Sequence, residues 1–125
     1  MMKIYVGHSR QFAYQEELYI PIRSSALNGE YEFILPHETS HLPYNSLEKA
    51  KLFQAMIAEV SFPSTGLGIE MGWFHALGTP ILCLQKEGGK LSQSVQVVAT
   101  KYEFYKDTED MLSIIQQFLL SLNER

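Results

Sequence analysis

A glycine-rich segment that leads from an apolar run to a glutamate is the part of this sequence best suited to chemistry. It reads Ala58-Glu-Val-Ser-Phe-Pro-Ser-Thr-Gly-Leu-Gly-Ile-Glu70. The pattern predicts a strand, a loop, and a helix that carries Glu70 in its first turn. Glycines such as Gly66 and Gly68 let backbone N–H groups approach an anionic ligand, and the helix dipole favours an ionised carboxylate there. Such a site suits covalent chemistry on a phosphorylated or sugar-bearing small molecule.

A simpler interpretation of Glu70 also exists. A first-turn glutamate can merely complement the helix dipole, which contributes about 0.3–1 kcal/mol, and a glycine-rich loop is often only a tight turn. The loop Pro63-Ser-Thr-Gly-Leu-Gly68, however, combines backbone amides with two hydroxyl groups and two glycines. We therefore favour a ligand site at this loop.

The composition narrows the class of protein. A chain of 125 residues with 46% apolar residues suits one soluble domain with its own core. The formal net charge of −4 and the scattered basic residues argue against a nucleic-acid surface. With neither a secretory signal nor a membrane-spanning run in the sequence, we expect a cytoplasmic protein. The single cysteine, Cys83, lies in an apolar run and is expected to be a buried thiol.

Short apolar runs alternate with helical patterns along the chain. The predicted strands cover residues 3–6, 31–35, 56–60, 80–84 and 102–105. The predicted helices cover residues 11–28 with a break at Pro21, 46–55 with Ser46 as N-cap, 66–78 closed by Gly78, and a last helix capped by Asp107 or Thr108. Residues 91–99 fit either a helix or a loop. This alternation predicts one α/β domain over residues 1–125, a parallel five-stranded sheet with helices on both faces.

Ligands of such sheets bind beyond the carboxyl ends of the strands, near the point where the strand order reverses. Three loops follow predicted strands and should meet there, at residues 7–10, 36–43 and 61–68. The last of them is the glycine-rich loop, so the predicted topology places it where function is expected.

A longer pattern contains the glycine-rich segment and continues to Leu84. It reads Ala-Glu-Val-Ser-x-Pro-Ser-x-Gly-x-Gly-x-Glu-x-Gly-Trp, followed by Gly-x-Pro-Ile-Leu-Cys-Leu. This pattern resembles the nucleoside 2-deoxyribosyltransferase family, and within it the 2′-deoxynucleoside 5′-phosphate N-hydrolases. The resemblance implies a flavodoxin-like three-layer sandwich and a homodimer. We expect no cofactor and no metal.

The resemblance also implies roles for individual residues. Glu70 matches the glutamate that attacks the anomeric carbon of a deoxyribosyl group and forms a transient sugar ester, as in retaining glycosidases. Tyr5 matches a tyrosine of the first strand. Ser64 matches a serine that contacts a 5′-phosphate. Ser9 and Arg10 fall in a loop that resembles the family's Gly-Ser-Ile-Arg turn.

The implied activity is cleavage of the N-glycosidic bond of a 2′-deoxynucleoside or its 5′-monophosphate, with transfer of the sugar to water or to another base. Gly66 and Gly68 would help to bind the phosphate. Ser92 matches a serine that is lent to the phosphate site of the neighbouring subunit. Trp73, which follows Glu70 on its helix, fits either the core or a dimer interface.

One departure from the family supports an alternative function. The family has an aspartate about two dozen residues before the nucleophile, but here an ungapped count reaches Asn45-Ser46, and no aspartate precedes Asp107. Either Glu59, Glu38 or a histidine of the second loop replaces it, or the protein binds a nucleotide or nucleotide-sugar without efficient turnover.

A second motif competes with the first. His37-Glu38-Thr39-Ser40-His41 matches the H-E-x-x-H pattern of zinc proteases, in which a helix places both histidines on one metal. Pro36 and Pro43 leave room for only one or two turns. We therefore favour a ligand-facing loop histidine or a plain surface loop over a metalloprotease.

Overall fold

Five parallel strands form one sheet in the computed structural model, which describes residues 1–123. The strands are β1 (Lys3–His8), β2 (Glu32–Ile34), β3 (Ala55–Glu59), β4 (Ile81–Lys86) and β5 (Lys101–Tyr105). Their order is β2-β1-β3-β4-β5, and each neighbouring pair is parallel. This is the strand order of flavodoxin-like folds, and it confirms the predicted α/β architecture.

Helices cover both faces of the sheet. They are α1 (Ile20–Ser24), α2 (Ser46–Lys49), α3 (Thr65–Ala76), α4 (Gln93–Val98) and α5 (Thr108–Asn123). One core cluster joins the sheet to α1 and α5. A second cluster joins the sheet to α3 and α4 and to residues on either side of α2. The result is a three-layer sandwich.

Strand β1 contributes to both layers because its side chains alternate. Ile4 and Val6 belong to the cluster beneath α1 and α5, whereas Tyr5 belongs to the cluster beneath α3. A strand buried on both faces in this way is typical of parallel sheets. Two layers can therefore place side chains around the carboxyl end of one strand.

The predicted helix over residues 11–28 is wrong in its extent. A π-helical turn at Gln15–Tyr19 leads into α1, and a 3-10 turn at Ala26–Gly29 follows. The N–H of Ile20 donates to the carbonyl of Gln15, which is the i→i−5 bond of a π-helix. Because Pro21 has no N–H to continue an α-helical ladder, the chain widens the preceding turn.

The predicted helix over residues 46–55 also needs correction. Asn45, not Ser46, is the N-cap, and its side-chain oxygen accepts the N–H of Glu48 at 3.4 Å. The α-helix ends at Lys49 and a 3-10 turn covers Ala50–Leu52. Because Asn45 caps the helix, the hydroxyl of Ser46 is available for another contact.

Other local predictions are confirmed. Gly78 ends α3 with a φ of +77°, a left-handed conformation that favours glycine. Residues 91–99, which fit either a helix or a loop, contain α4, and the structure shows Ser92 as its N-cap. Asp107 caps α5 by accepting the N–H of Asp110 at 2.8 Å. Cys83 is buried in β4.

Across residues 1–123 no helix has the length and apolar character needed to cross a membrane.

Candidate active site

A cavity of about 570 Å³ opens at the carboxyl ends of β1, β2 and β3. All three loops that the sequence placed at this edge contribute side chains to it. The strand order reverses beside β1, so the cavity lies at the switch point where flavodoxin-like folds bind ligands. Its lining includes Tyr5, Gly7, His8, Ser9, Arg10, His37, Tyr44, Ser64, Gly66, Glu70 and Trp73.

The position of Glu70 on its helix differs from the prediction. Helix α3 begins at Thr65, and Ser64 is its N-cap, with the serine oxygen accepting the N–H of Leu67 at 3.2 Å. Glu70 therefore lies in the second turn, and the first turn contains no acidic residue. Since the helix dipole acts mainly within the first turn, it does not explain the state of this carboxylate.

Two hydroxyl groups hold one oxygen of Glu70. The Tyr5 hydroxyl donates to Oε2, and the Ser46 hydroxyl donates to the same oxygen at 2.7 Å. Tyr5 comes from β1, Ser46 from α2 and Glu70 from α3. Within residues 1–123 no donor contacts Oε1. The carboxylate therefore has a fixed orientation and one oxygen without a hydrogen bond.

The free oxygen of Glu70 lies close to Gly7. A Cβ added at Gly7 would lie 3.5 Å from Oε1 and 2.9 Å from Cδ1 of Leu67. Glycine at this position keeps space open beside Oε1. The geometry thus leaves this oxygen accessible to a ligand in the cavity.

The surroundings of Glu70 act on its pKa in opposite directions. Burial raises the pKa of Glu70 above its usual value, while the hydrogen bonds from Tyr5 and Ser46 lower it. Burial is the larger effect, so the net shift is upward. Burial and the adjacent Glu70 charge also raise the pKa of Tyr5, which keeps its hydroxyl protonated as a donor.

A second hydrogen-bond network lies on the other side of β1. The Ser9 carbonyl can only accept, so Nδ1 of His8 carries the proton and donates to it at 3.0 Å. Nε2 then accepts from the Tyr19 hydroxyl at 2.6 Å, and the Tyr19 oxygen accepts the backbone N–H of His37 at 3.1 Å. Burial lowers the pKa of His8 to about 4, so this ring is neutral near pH 7.

The sequence did not predict the contact between His8 and Tyr19. The available signal was the alternation of β1, which continues to residue 8 and directs that side chain into the layer opposite Tyr5. His8 also stacks on Tyr14, with ring centroids 4.3 Å apart. An aromatic pair therefore forms on the face of the sheet opposite Tyr5.

The predicted ligand-binding residues divide between two cavities. Ser9, Arg10, Ser64 and Gly66 line the same cavity as Tyr5 and Glu70. Gly68 and Ser92 line a neighbouring cavity of about 250 Å³, which shares Ser64 with the first. Arg10 is exposed and forms no salt bridge within the described part of the chain.

The candidates for the missing aspartate have different surroundings. Glu59 lies outside the cavity lining, buried, and accepts hydrogen bonds from Tyr105 and from the N–H and hydroxyl of Ser61. Glu38 forms an ion pair with Arg23 at 2.9 Å and also lies outside the lining. Of the three options, only the loop histidine, His37, lines the cavity.

The competing zinc-protease motif does not form the helix that it requires. Residues 37–41 lie in turns and bends. Over residues 1–123, no three His, Cys, Asp or Glu side chains are grouped closely enough to hold a metal ion. The arrangement that the H-E-x-x-H pattern predicts is therefore absent from this loop.

The fold and site together define a flavodoxin-like α/β protein with a half-buried, hydrogen-bonded carboxylate at the switch point of its sheet. No family model matches the chain, and no curated protein does. Two solved structures are similar in fold. One is the CMP N-glycosidase BcmB of Clostridium botulinum, with 19% identity, a TM-score of 0.64, and coverage of 93% of this chain and 98% of that one. The other is a conserved protein from Enterococcus faecalis V583, with 19% identity, a TM-score of 0.71, and coverage of 94% and 98%.

The raised pKa of Glu70 predicts that this residue limits stability at neutral pH. The folded protein binds the Glu70 proton more tightly than the unfolded chain does. The stability that this proton contributes is therefore complete below the pKa of Glu70 in the unfolded chain, 4.5. This stability is lost as the pH rises through the higher pKa of Glu70 in the folded protein. Glu70→Gln keeps an acceptor for Tyr5 and Ser46 but cannot ionise. Glu70→Gln should therefore raise Tm at pH 7, and each kcal/mol of stability gained corresponds to roughly 3–6 °C.

Thermal unfolding of the wild type and Glu70→Gln between pH 4 and 8 measures this effect. The difference in Tm should be largest at neutral pH and should shrink toward pH 4. Glu87→Gln, at an exposed turn residue, is the control and should leave Tm unchanged. Equal Tm values for the wild type and Glu70→Gln at every pH would contradict the prediction.

Proposed function

We propose that this protein cleaves the N-glycosidic bond of a 2′-deoxynucleoside or its 5′-monophosphate, with Glu70 as the nucleophile. The observation that carries the proposal is the half-buried carboxylate of Glu70, whose Oε2 is held by Tyr5 and Ser46 while Oε1 is free in the cavity. One of the proteins with a similar fold is a CMP N-glycosidase, so the fold is compatible with this class of reaction.

The proposed reaction has two steps. Oε1 of Glu70 attacks the anomeric carbon, and the electron pair of the C1′–N bond leaves with the base. A water molecule, or a second base in a transfer reaction, then attacks the same carbon and releases the Glu70 carboxylate. The donors Tyr5 and Ser46 fix the carboxylate, which limits the reorientation needed before attack.

The proposed phosphate site lies at the start of α3. The backbone N–H groups near Gly66 and the hydroxyl of Ser64 suit a phosphate, because helix N-termini bind anions. The Ser64 oxygen already accepts the N–H of Leu67, and its own proton remains available to donate. Ser9 and the charged guanidinium of Arg10, on the loop after β1, would contact the same group.

Base release should follow incubation of the wild type with 2′-deoxynucleosides or their 5′-monophosphates, measured by chromatography. Glu70→Gln should reduce the rate on the order of 10³-fold or more, because it removes the nucleophile. The exposed Glu87→Gln variant should retain the wild-type rate. Pairing each deoxynucleotide with its ribonucleotide, including dCMP with CMP, tests the preference for a 2′-deoxy sugar. If no substrate in this set releases a base, the enzymatic function is wrong.

A nucleotide-binding protein without efficient turnover is the second candidate function. Glu70 is the only carboxylate that lines the cavity within the described residues, whereas glycosidases commonly use a pair of them. Titration calorimetry that detects binding of a deoxynucleotide, together with no base release over hours, would select this alternative.

We also propose that the protein forms a homodimer through α3. A Cβ added at Gly66, Gly68 or Gly72 would meet nothing within 4 Å in the described chain. A glycine inside a helix costs roughly 0.5–1 kcal/mol relative to alanine, and neither packing within one chain nor the two cavities account for Gly72. Ile69 and Leu77 are also 50% and 45% exposed on this helix. Close contact with a second copy would explain both features, and we propose that Ser92 contributes to the partner's phosphate site.

Sedimentation velocity should show a particle of twice the monomer mass. Gly72→Glu and Leu77→Lys should each convert it to a monomer, because both place a charge in the proposed interface while lying outside the cavity lining. Ile20→Lys is the matched control, since Ile20 is 58% exposed on the opposite layer. A monomeric wild type at micromolar concentration would overturn this proposal.

A further inference from the structure

The proposed cleavage needs a proton donor for the departing base, because an unprotonated nucleobase is a poor leaving group. If the protein itself supplies this proton, the donor is a titratable side chain that lines the cavity. Within residues 1–123 these side chains are Tyr5, His8, Arg10, His37, Tyr44 and Glu70.

Most of these groups are already committed to other contacts. Glu70 is the proposed nucleophile, and the proton of Tyr5 is donated to it. Arg10 carries a guanidinium, which does not give up a proton in proteins. Tyr44 is a phenol, a far weaker acid than an imidazolium, and its ring packs on Tyr5 with centroids 5.8 Å apart.

His8 is also unsuitable. Its Nδ1 proton is donated to the Ser9 carbonyl, and its Nε2 accepts the Tyr19 hydroxyl, so neither ring nitrogen is free. The residue is 8% exposed, and burial lowers its pKa to about 4. It therefore has no free nitrogen to present to a leaving base, and its contacts instead anchor the neighbouring loop.

His37 has the free nitrogen that His8 lacks. Its backbone N–H donates to Tyr19 at 3.1 Å, and its carbonyl accepts from Gln15 at 3.1 Å, so the backbone is held from both sides. Nδ1 donates to the carbonyl of Ser40 at 3.3 Å. Nε2 has no hydrogen-bond partner among the described residues, and the side chain lines the cavity. Burial and the nearby Arg10 charge lower the pKa of His37. Because Nδ1 holds the proton of the neutral ring, Nε2 carries a proton only in the imidazolium form, and that form is the proton donor.

We propose that His37 is a catalytic residue that donates its Nε2 proton to the leaving base. As the C1′–N bond breaks, its electron pair goes to the base, and the proton of Nε2 neutralises that base. In the second step the neutral imidazole takes a proton from the water that attacks C1′, while the Glu70 oxygen leaves with its bonding pair. This inference rests on the proposed function and adds the acid–base partner of Glu70.

Two substrates that share the sugar phosphate, but whose leaving groups differ in whether they need a proton, test the role of His37. One is the 2′-deoxynucleoside 5′-monophosphate that the wild type hydrolyses fastest. The other is 4-nitrophenyl 2-deoxyribose 5-phosphate, whose nitrophenolate leaves without a proton. His37→Gln should slow the first substrate by about 10²–10⁴-fold and the second by less than about tenfold. Imidazole added to His37→Ala should restore part of the rate on the natural substrate only.

Matched variants distinguish a wrong role for His37 from a wrong proposed function. His41→Gln changes an exposed histidine of the same loop that lies outside the cavity lining, and it should be as active as the wild type on both substrates. Glu70→Gln should be slow on both. If His37→Gln slows both substrates equally, or neither, the role of His37 is overturned while the proposed function stands. If the wild type and Glu70→Gln do not differ on either substrate, the proposed function fails and this inference fails with it.

Discussion

The hydrogen bonds from Tyr5 and Ser46 to one oxygen of Glu70 are the interaction on which the candidate site depends. The three side chains come from β1, α2 and α3, so they meet only when the sheet and one of its helical layers are assembled. Burial alone would favour a protonated Glu70, and the two donors oppose that effect. Both donors bind Oε2, so Oε1 is the oxygen that remains without a hydrogen bond.

Strand β1 organises both sides of the cavity. Residues 5 and 8 differ by an odd number of positions, so their side chains point to opposite faces of the sheet. Tyr5 reaches Glu70 in the layer that contains α3, and His8 reaches Tyr19 in the layer that contains α1. Because Tyr19 also holds the backbone of His37, one strand orders a carboxylate on one side and a histidine loop on the other.

The sequence predicted the architecture well because the architecture depends on local patterns. Alternating apolar runs located all five strands, and Gly78 marked the end of α3 through a backbone conformation that glycine favours. The site was less predictable. Ser46 looked like a helix cap, since its contact with Glu70 joins residues 24 positions apart. Local sequence patterns give no information about such contacts. The position of Glu70 on its helix was also predicted wrongly, because α3 begins at Thr65 and Glu70 therefore lies in the second turn.

Trapping of the sugar on Glu70 is the most direct measurement of the central claim. The wild type would be incubated with a 5′-monophosphate of a 2′-fluoroarabino nucleoside, in which fluorine slows hydrolysis of the sugar ester, and then digested for peptide mass spectrometry. The proposed chemistry predicts one added fluorinated sugar phosphate on the peptide that contains Glu70, located at Glu70 by fragmentation and absent from Glu70→Gln. Release of the base with Glu70 unmodified, or with the sugar on a different residue, would contradict it.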